Sequence, residues 1–314
     1  MEPGNFDHFC GIISAMLNYS IRASFILFLC CVSVLAQSPA TEGLRGRIEQ
    51  IAGKARGRVG VAITLLETGE SLTLAGGERF PMQSVYKLPI AMAVLDQVDH
   101  GMLKLDQMVR VRRSDMVPSG AHSPIRDRHP NGVTLSLVEL LRFNTSVSDG
   151  TACDVLLRVV GGAAVVNRYL RGLGVNGINV ETTEQAMSQD EMVQYRNWAQ
   201  PEAAVALLRA LHEGRGLSAV SRARLLQWMT ITPTSARRIK GRLPAGTVVA
   251  HKTGTSGTHH GLTRTTNDIG IVTLPDGRHL AIAVFVSDSP ADEATREGVI
   301  AEIAQAAWEF WTAR

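Results

Sequence analysis

Cysteine is scarce, and where it occurs it cannot cross-link the chain. Of four cysteines in 314 residues, Cys10, Cys30 and Cys31 fall near the N-terminus, which leaves Cys153 alone in the body of the protein. A disulfide framework within that body is excluded, so a packed core must hold the fold. Charge of one sign is lacking as well. Thirty-two Lys and Arg against 29 Asp and Glu give a formal charge of +3 with no long basic block, which argues against a nucleic-acid or membrane-surface partner. No internal repeat or low-complexity segment is present. Histidines number nine, but His259-His260 sit in a Gly/Thr-rich turn with no further ligand at metal spacing. The expectation is exposed loop histidines, no metal and no cofactor.

The longest apolar run follows Arg22 and covers residues 25–36, ending in Ala36. It has the length of a secretory h-region and is too short to span a bilayer. Residues 1–36 therefore read as a signal peptide and 37–314 as the mature chain, periplasmic or secreted. Met16 is the more natural start, because Glu2 and Asp7 lie where a leader carries positive charge.

Past the leader, Leu44, Ile48, Ile51 and Ala55 recur at helical spacing across residues 43–56. Residues 59–66 and 71–74 flank the turn Glu67-Thr68-Gly69-Glu70 and predict a strand pair. Residues 135–143, 152–160, 163–173 and 201–211 carry helical periodicity, punctuated by Gly or Pro. Strand character returns at 247–250, 268–274 and 280–286, the last two joined by Pro275-Asp276-Gly277-Arg278, and a helix is predicted over 291–311. Strands and one helix from each end can close one antiparallel sheet around an inserted helical unit. The fold class is α/β (α+β), with a sheet part from 43–80 and 235–314 and a helical part from 84–230.

Ser84-Val85-Tyr86-Lys87 precedes the apolar run Leu88, Ile90, Ala91, Val94, Leu95. A serine and a lysine three apart at a helix start share one face, so the amine can take or relay the serine proton. The helix N-terminus also favours a developing oxyanion there. Alone this spacing is unspecific; it gains weight from Ser148-Asp149-Gly150 and, far downstream, Lys252-Thr253-Gly254-Thr255-Ser256-Gly257. In isolation Ser148-Asp149 would read as a helix cap.

In this order the motifs resemble those of the class A serine β-lactamases, over essentially all of the mature chain. Met82-Gln83-Ser84, Gln194-Tyr195-x-Asn197-Trp198 and Asn267-Asp268-Ile269-Gly270 are similar to the extended-spectrum branch. The resemblance implies a five-stranded antiparallel sheet flanked by helices, with an inserted all-helical domain. It implies hydrolysis of penicillins and cephalosporins by a monomer acting on a small-molecule β-lactam. Ser84 becomes the nucleophile, Lys87 its proton partner, and Ser148 the relay to the departing nitrogen. The backbone N–H groups of Ser84 and Thr255 become the oxyanion hole. Lys252, Thr253, Thr255 and Ser256 become substrate contacts. Glu184 in Glu184-Gln185-Ala186-Met187-Ser188 becomes the base over the deacylating water, with Glu181 as competitor. Two readings stand for Arg238: a grip on the substrate carboxylate, for which a guanidinium fork suits well, or a member of a solvated charge cluster; Arg237 and Lys240 are expected to face solvent.

Three departures from the family pattern stand out. Gly150 replaces the usual Asn, Ser188 replaces the Asn that helps hold the water, and Thr182 with Asn197 replaces the Arg–Asp pair that closes the loop. The runner-up reading is a D-Ala-D-Ala peptidase or penicillin-binding protein, which shares Ser-x-x-Lys and Lys-Thr-Gly. The glutamate loop argues against it. Ser84→Ala is expected to abolish hydrolysis of a chromogenic cephalosporin while the chain still folds. Near wild-type turnover in that variant would rule out the serine mechanism.

Overall fold

The computed structural model describes residues 39–234 and 236–314; the leader reading lies outside them. Arg58–Leu65 (β1), Ser71–Leu74 (β2), Val249–Thr255 (β3), Leu262–Thr273 (β4) and His279–Ser289 (β5) form an antiparallel sheet in the order β2–β1–β5–β4–β3. The two-residue strand Thr258–His259 adds to β4. The third strand runs further than the 247–250 expected from its apolar residues. Register explains the difference, because β4 pairs Ile269 with Lys252 and Thr266 with Thr255. Ladder hydrogen bonding thus carries the polar Lys-Thr-Gly stretch into the sheet despite its weak strand propensity.

Both faces of the sheet are covered, which is why its strands read as nearly continuous apolar runs. Side-chain alternation divides them between two cores. Val61, Ile63 and Leu65 of β1, with Leu280, Ile282, Val284 and Val286 of β5, pack against Leu44, Ile48, Ile300, Ile303 and Trp311. These last come from the helices Pro39–Gly53 and Glu293–Thr312. Ala62, Ile269, Ala281, Ala283 and Phe285 point the other way, into the core formed with the helices of the middle segment.

That middle segment is helical as expected, with Lys87–Asp99 buried through Leu95. It also holds a hairpin that periodicity missed, Met108–Arg112 paired with Gly132–Ser136. Met108–Arg112 alternates exposed and buried residues, a period-two signal too short to outweigh its helical surroundings. The helix expected from residue 135 therefore starts at Leu137. Ser136 caps it and Glu139 reaches back to the Ser136 amide in a capping box.

Two contacts fasten the sheet to the segment that carries Ser84. Buried Asn267 donates from Nδ2 to the Pro81 carbonyl (2.7 Å) and the Met82 carbonyl (3.3 Å), while its Oδ1 accepts from the Val286 amide (3.2 Å). Beside it Gly254 lies so close that an added Cβ would sit 2.3 Å from the Met82 carbonyl oxygen and 3.3 Å from the Ser84 nitrogen. Only glycine permits this approach, because the opposing atoms are backbone and cannot swing away. Gly254→Ala is expected to cost about 1–3 kcal/mol of stability through overpacking, read as a lower denaturation midpoint. An unchanged midpoint would mean that the strand and the turn separate freely.

Candidate active site

Ser84 lies in the 3₁₀ turn Gln83–Tyr86, which runs directly into the helix Lys87–Asp99. Gln83, one residue earlier, has φ of 44°, a left-handed conformation that a non-glycine residue adopts at some cost. The surroundings hold it there, since Gln83 Nε2 donates to Gln194 Oε1 at 3.0 Å. Lys87 is fully buried, and its ammonium donates to Ser84 Oγ at 2.7 Å and to the Ser148 carbonyl at 3.1 Å. Glu184 Oε1 stands 2.7 Å from the same nitrogen. Burial pulls the Lys87 pKa down, but Glu184 first, then Cys153 and Asp149, pull it further up. The balance lies above the ordinary lysine value, so Lys87 rests as an ammonium.

Ser148 and Asp149 divide two tasks that the sequence left merged. Asp149 is the helix cap: its carboxylate accepts from the Ala152 and Ile125 amides, each at 2.8 Å. Ser148, held at φ of 62°, turns its hydroxyl to the cleft, where Lys252 Nζ donates to Oγ at 3.0 Å. Lys252 also donates to the Thr253 carbonyl at 3.1 Å, and Thr253 Oγ1 donates to Thr234 Oγ1 at 3.3 Å. Burial above all, then the Lys87 charge, pushes the Lys252 pKa down to about 7.

Glu184 opens the short helix Glu184–Met187, capped by Thr183. Its place depends on Asp154, a residue that the motif pattern does not flag. The Asp154 carboxylate accepts the Glu184 amide at 2.7 Å and the Gln185 amide at 3.0 Å. Burial raises its pKa to about 7 against those two bonds. The signal available in the sequence was an acidic residue on the apolar helix Gly150–Val159, one turn after the cap. Glu181 is exposed and does not line the cleft.

The loop is closed without the Arg–Asp pair. Asn197 Oδ1 accepts the amides of Glu181 (2.7 Å) and Thr182 (3.0 Å), and its Nδ2 returns a bond to the Thr182 carbonyl (3.0 Å). Gln194 Oε1 accepts from Thr265 Oγ1 at 2.8 Å, and Arg264 pairs with Glu191 at 3.3 Å. The Ser188 hydroxyl is turned onto the Gln185 carbonyl at 2.6 Å. At Gly150 an added Cβ would lie 3.3 Å from the His122 carbonyl oxygen, 3.4 Å from Val117 Cγ1 and 3.5 Å from Glu184 Cβ, so the position is closely packed and a larger residue there would have to push on the neighbouring backbone.

Arg238 departs from expectation. It is buried at 1% exposure and is absent from the cleft wall. Its guanidinium pairs with Glu297 at 3.2 Å and donates to the carbonyls of Gly254 (3.1 Å) and Asn267 (2.8 Å) and to Thr255 Oγ1 (2.7 Å). Here the fork is taken up by these protein groups, Thr255 at the cleft among them. Burial decides this, because every nitrogen of the fork already has a protein partner. Arg237 is exposed as expected, but it pairs with Glu297 Oε2 at 2.7 Å and so shares the partner of Arg238.

Ser84, Lys87, Ser148, Glu184, Thr253, Thr255 and Ser256 line one cleft of about 810 Å³; Lys252 sits just beneath its wall. His259 lies at the rim, exposed as expected. This arrangement puts a serine hydroxyl and a carboxylate oxygen each 2.7 Å from one lysine nitrogen, with a second lysine bonded to the Ser148 hydroxyl.

A family model described as the beta-lactamase enzyme family matches residues 43–311. The extended-spectrum beta-lactamase PER-1 of Pseudomonas aeruginosa is 42% identical over 275 residues, covering 88% of each chain. A beta-lactamase structure from Chitinophaga pinensis superposes with a TM-score of 0.83 at 49% identity, covering 85% of this chain and 98% of that one. The structure of the TLA-1 extended-spectrum beta-lactamase gives 0.84 at 42% identity, covering 87% and 99%.

The depressed Lys252 pKa predicts a pH dependence of binding. With the Lys252 pKa lowered to about 7, its charge is lost as the pH rises above that value, and any attraction it exerts on an anionic substrate is lost with it. The KM for a penicillin should therefore rise as pH increases from about 7 to 9, with kcat changing less. A KM that stays flat across this range would show that Lys252 keeps its proton.

Proposed function

The chain belongs to the class A β-lactamase family, in its extended-spectrum branch, and on that premise we propose that it hydrolyses penicillins and cephalosporins through an acyl-enzyme on Ser84. The observation that carries this reading is Lys87 Nζ standing 2.7 Å from both Ser84 Oγ and Glu184 Oε1. An ammonium already donating to the serine cannot accept its proton. In the proposed sequence Lys87 first hands a proton to Glu184 and then takes the proton of Ser84 as Oγ attacks the lactam carbonyl. The backbone N–H groups of Ser84 and Thr255 receive the oxyanion; a donor of this kind is typically worth about a hundredfold or more in rate. Ser148, oriented by Lys252, protonates the departing nitrogen and is restored by the proton held on Lys87. Glu184 then returns its proton to Lys87 and is free as a carboxylate to activate one water. Glu184 takes one proton of that water as the water oxygen attacks the ester carbonyl, the bond from the carbonyl carbon to Ser84 Oγ breaks, and Lys87 gives Oγ a proton that Glu184 then replaces.

Thr253, Thr255 and Ser256 line the wall where the substrate carboxylate docks, and Lys252 supplies positive charge behind it. Arg238 serves as a positioning residue through Thr255. The substrate range extends to bulky oxyimino cephalosporins. Two features support this: the exposed Gly257, which adds no side chain to the cleft wall beside Ser256, and a loop held by Asn197 in place of a rigid ion pair. The enzyme works as a monomer outside the cytoplasm, in the periplasm or secreted, after removal of residues 1–36. Its sheet part (43–80 and 235–314) and helical part (84–230) enclose the cleft. The reading requires no cofactor.

Turnover separates this enzyme from the penicillin-binding peptidases, which share its acylation chemistry. Glu184→Gln keeps the size and removes the base, so a covalent adduct on Ser84 should persist for minutes in intact-protein mass spectrometry after mixing with a cephalosporin. Glu181→Gln should turn over normally. Trapping by the Glu181 variant with normal turnover by the Glu184 variant would assign the base to Glu181. Normal turnover by both would end the glutamate–water account.

A further inference from the structure

At the end of the sheet remote from the cleft, three side chains from distant parts of the chain converge. Glu67 follows β1, His279 opens β5, and His212 lies in the last turn of the helix Pro201–Glu213. The register fixes how far this is from Ser84. Gly254 pairs with Asn267 beside the nucleophile turn, whereas His279 pairs with Thr273. Six residues of β4 separate these positions, about 20 Å at strand rise.

Glu67 grips His279 twice, since its carboxylate accepts the His279 amide at 2.9 Å and faces Nδ1 at 2.8 Å. The His212 ring stands 4.4 Å from the His279 ring, tilted by 49°. His212 makes no ring hydrogen bond to another protein group among the described residues. Its backbone is fixed, because Arg222 Nη1 donates to the His212 carbonyl at 2.7 Å. One ligand atom from each of the three residues falls within 4.8 Å of the other two. Ligand atoms around a tetrahedral zinc ion are about 3.3 Å apart. A small rotation of half-exposed side chains closes that difference.

We propose that Glu67, His212 and His279 form a binding site for a first-row divalent transition metal ion, with Zn²⁺ as its natural fit. Two imidazoles and one carboxylate are borderline ligands that select zinc-like cations over magnesium or calcium. The three residues leave a fourth position to water. His279 would ligate through Nδ1, with the ring proton on Nε2. The ion would staple the helix Pro201–Glu213 to the first and last strands of the fold. Placed about 20 Å along the sheet from the nucleophile, it would act on stability and not on hydrolysis. Sequence spacing hid this site, because its ligands lie at positions 67, 212 and 279 and no two fall within one turn or hairpin.

The test is calorimetric titration of the untagged chain with Zn²⁺ in a non-coordinating buffer. One equivalent should bind, and the melting temperature should rise with Zn²⁺ and fall back with EDTA, with cephalosporin hydrolysis unaffected by either. His212→Ala and His279→Ala should each weaken binding by roughly tenfold or more, at least what loss of an outer partner costs, and should remove the thermal shift. Glu67→Gln, which still accepts the His279 amide, should weaken binding without disturbing the turn. A double substitution of His259 and His260 by Ala should leave binding intact. The visible spectrum of the Co²⁺-loaded wild-type chain should report four-coordination. Absence of saturable binding, binding unchanged in both histidine variants, or loss only in the His259/His260 variant would each overturn the proposal.

Discussion

A buried ammonium organises this molecule. Lys87 is 1% exposed, and removing its charge from water would cost several kcal/mol without compensation. Compensation comes from three directions: Ser84 on its own turn, the Ser148 carbonyl before the next helix, and Glu184 on the loop. Each partner belongs to a different element, so the charge is satisfied only when the nucleophile turn, the helical segment and the loop have all assembled. The same geometry that makes Lys87 tolerable in the interior places its nitrogen 2.7 Å from both a hydroxyl and a carboxylate oxygen, the arrangement on which the proposed proton transfer rests.

The loop bearing Glu184 shows how backbone hydrogen bonding can replace an ion pair. Asn197 closes it by binding two amides and one carbonyl with a single side chain. Asp154 holds the Glu184 and Gln185 amides from below. Neutral amide contacts of this kind carry little desolvation penalty compared with a buried charged pair. Asp154 is the exception, since burial raises its pKa to about 7. Burial thus opposes the charge of Asp154 at the place where its carboxylate holds the Glu184 and Gln185 amides.

Positive charge is arranged in depth along β3. Lys252 lies under the cleft wall, and Arg238 lies deeper, paired with Glu297 and bonded to Thr255. A guanidinium can sit there because Glu297, two carbonyls and a hydroxyl satisfy it. Asp268 of β4 adds negative charge near both cations and meets His251 at 2.9 Å. The outcome is a strand whose exposed side presents hydroxyls to a substrate while its buried side holds the charges that fix them.

Much of this was legible in the sequence. Periodicity located most helices and long strands, because burial on both sheet faces imposes continuous apolar runs and burial of one helix face imposes the 3.6 repeat. Spacing alone aligned Ser84 with Lys87, since three residues at a helix start share one face. The motif order supplied Ser148, Glu184 and Lys252. What it left open were matters of long-range packing. Register carried β3 through Gly254. Burial withdrew Arg238 from the cleft. Asp154 met the loop across 30 residues of chain, and Glu67, His212 and His279 met across more than 200. Local sequence encodes which face a residue occupies; only the closed sheet and its covering helices decide which distant side chain stands opposite, because that depends on register and packing between elements that no local pattern spans.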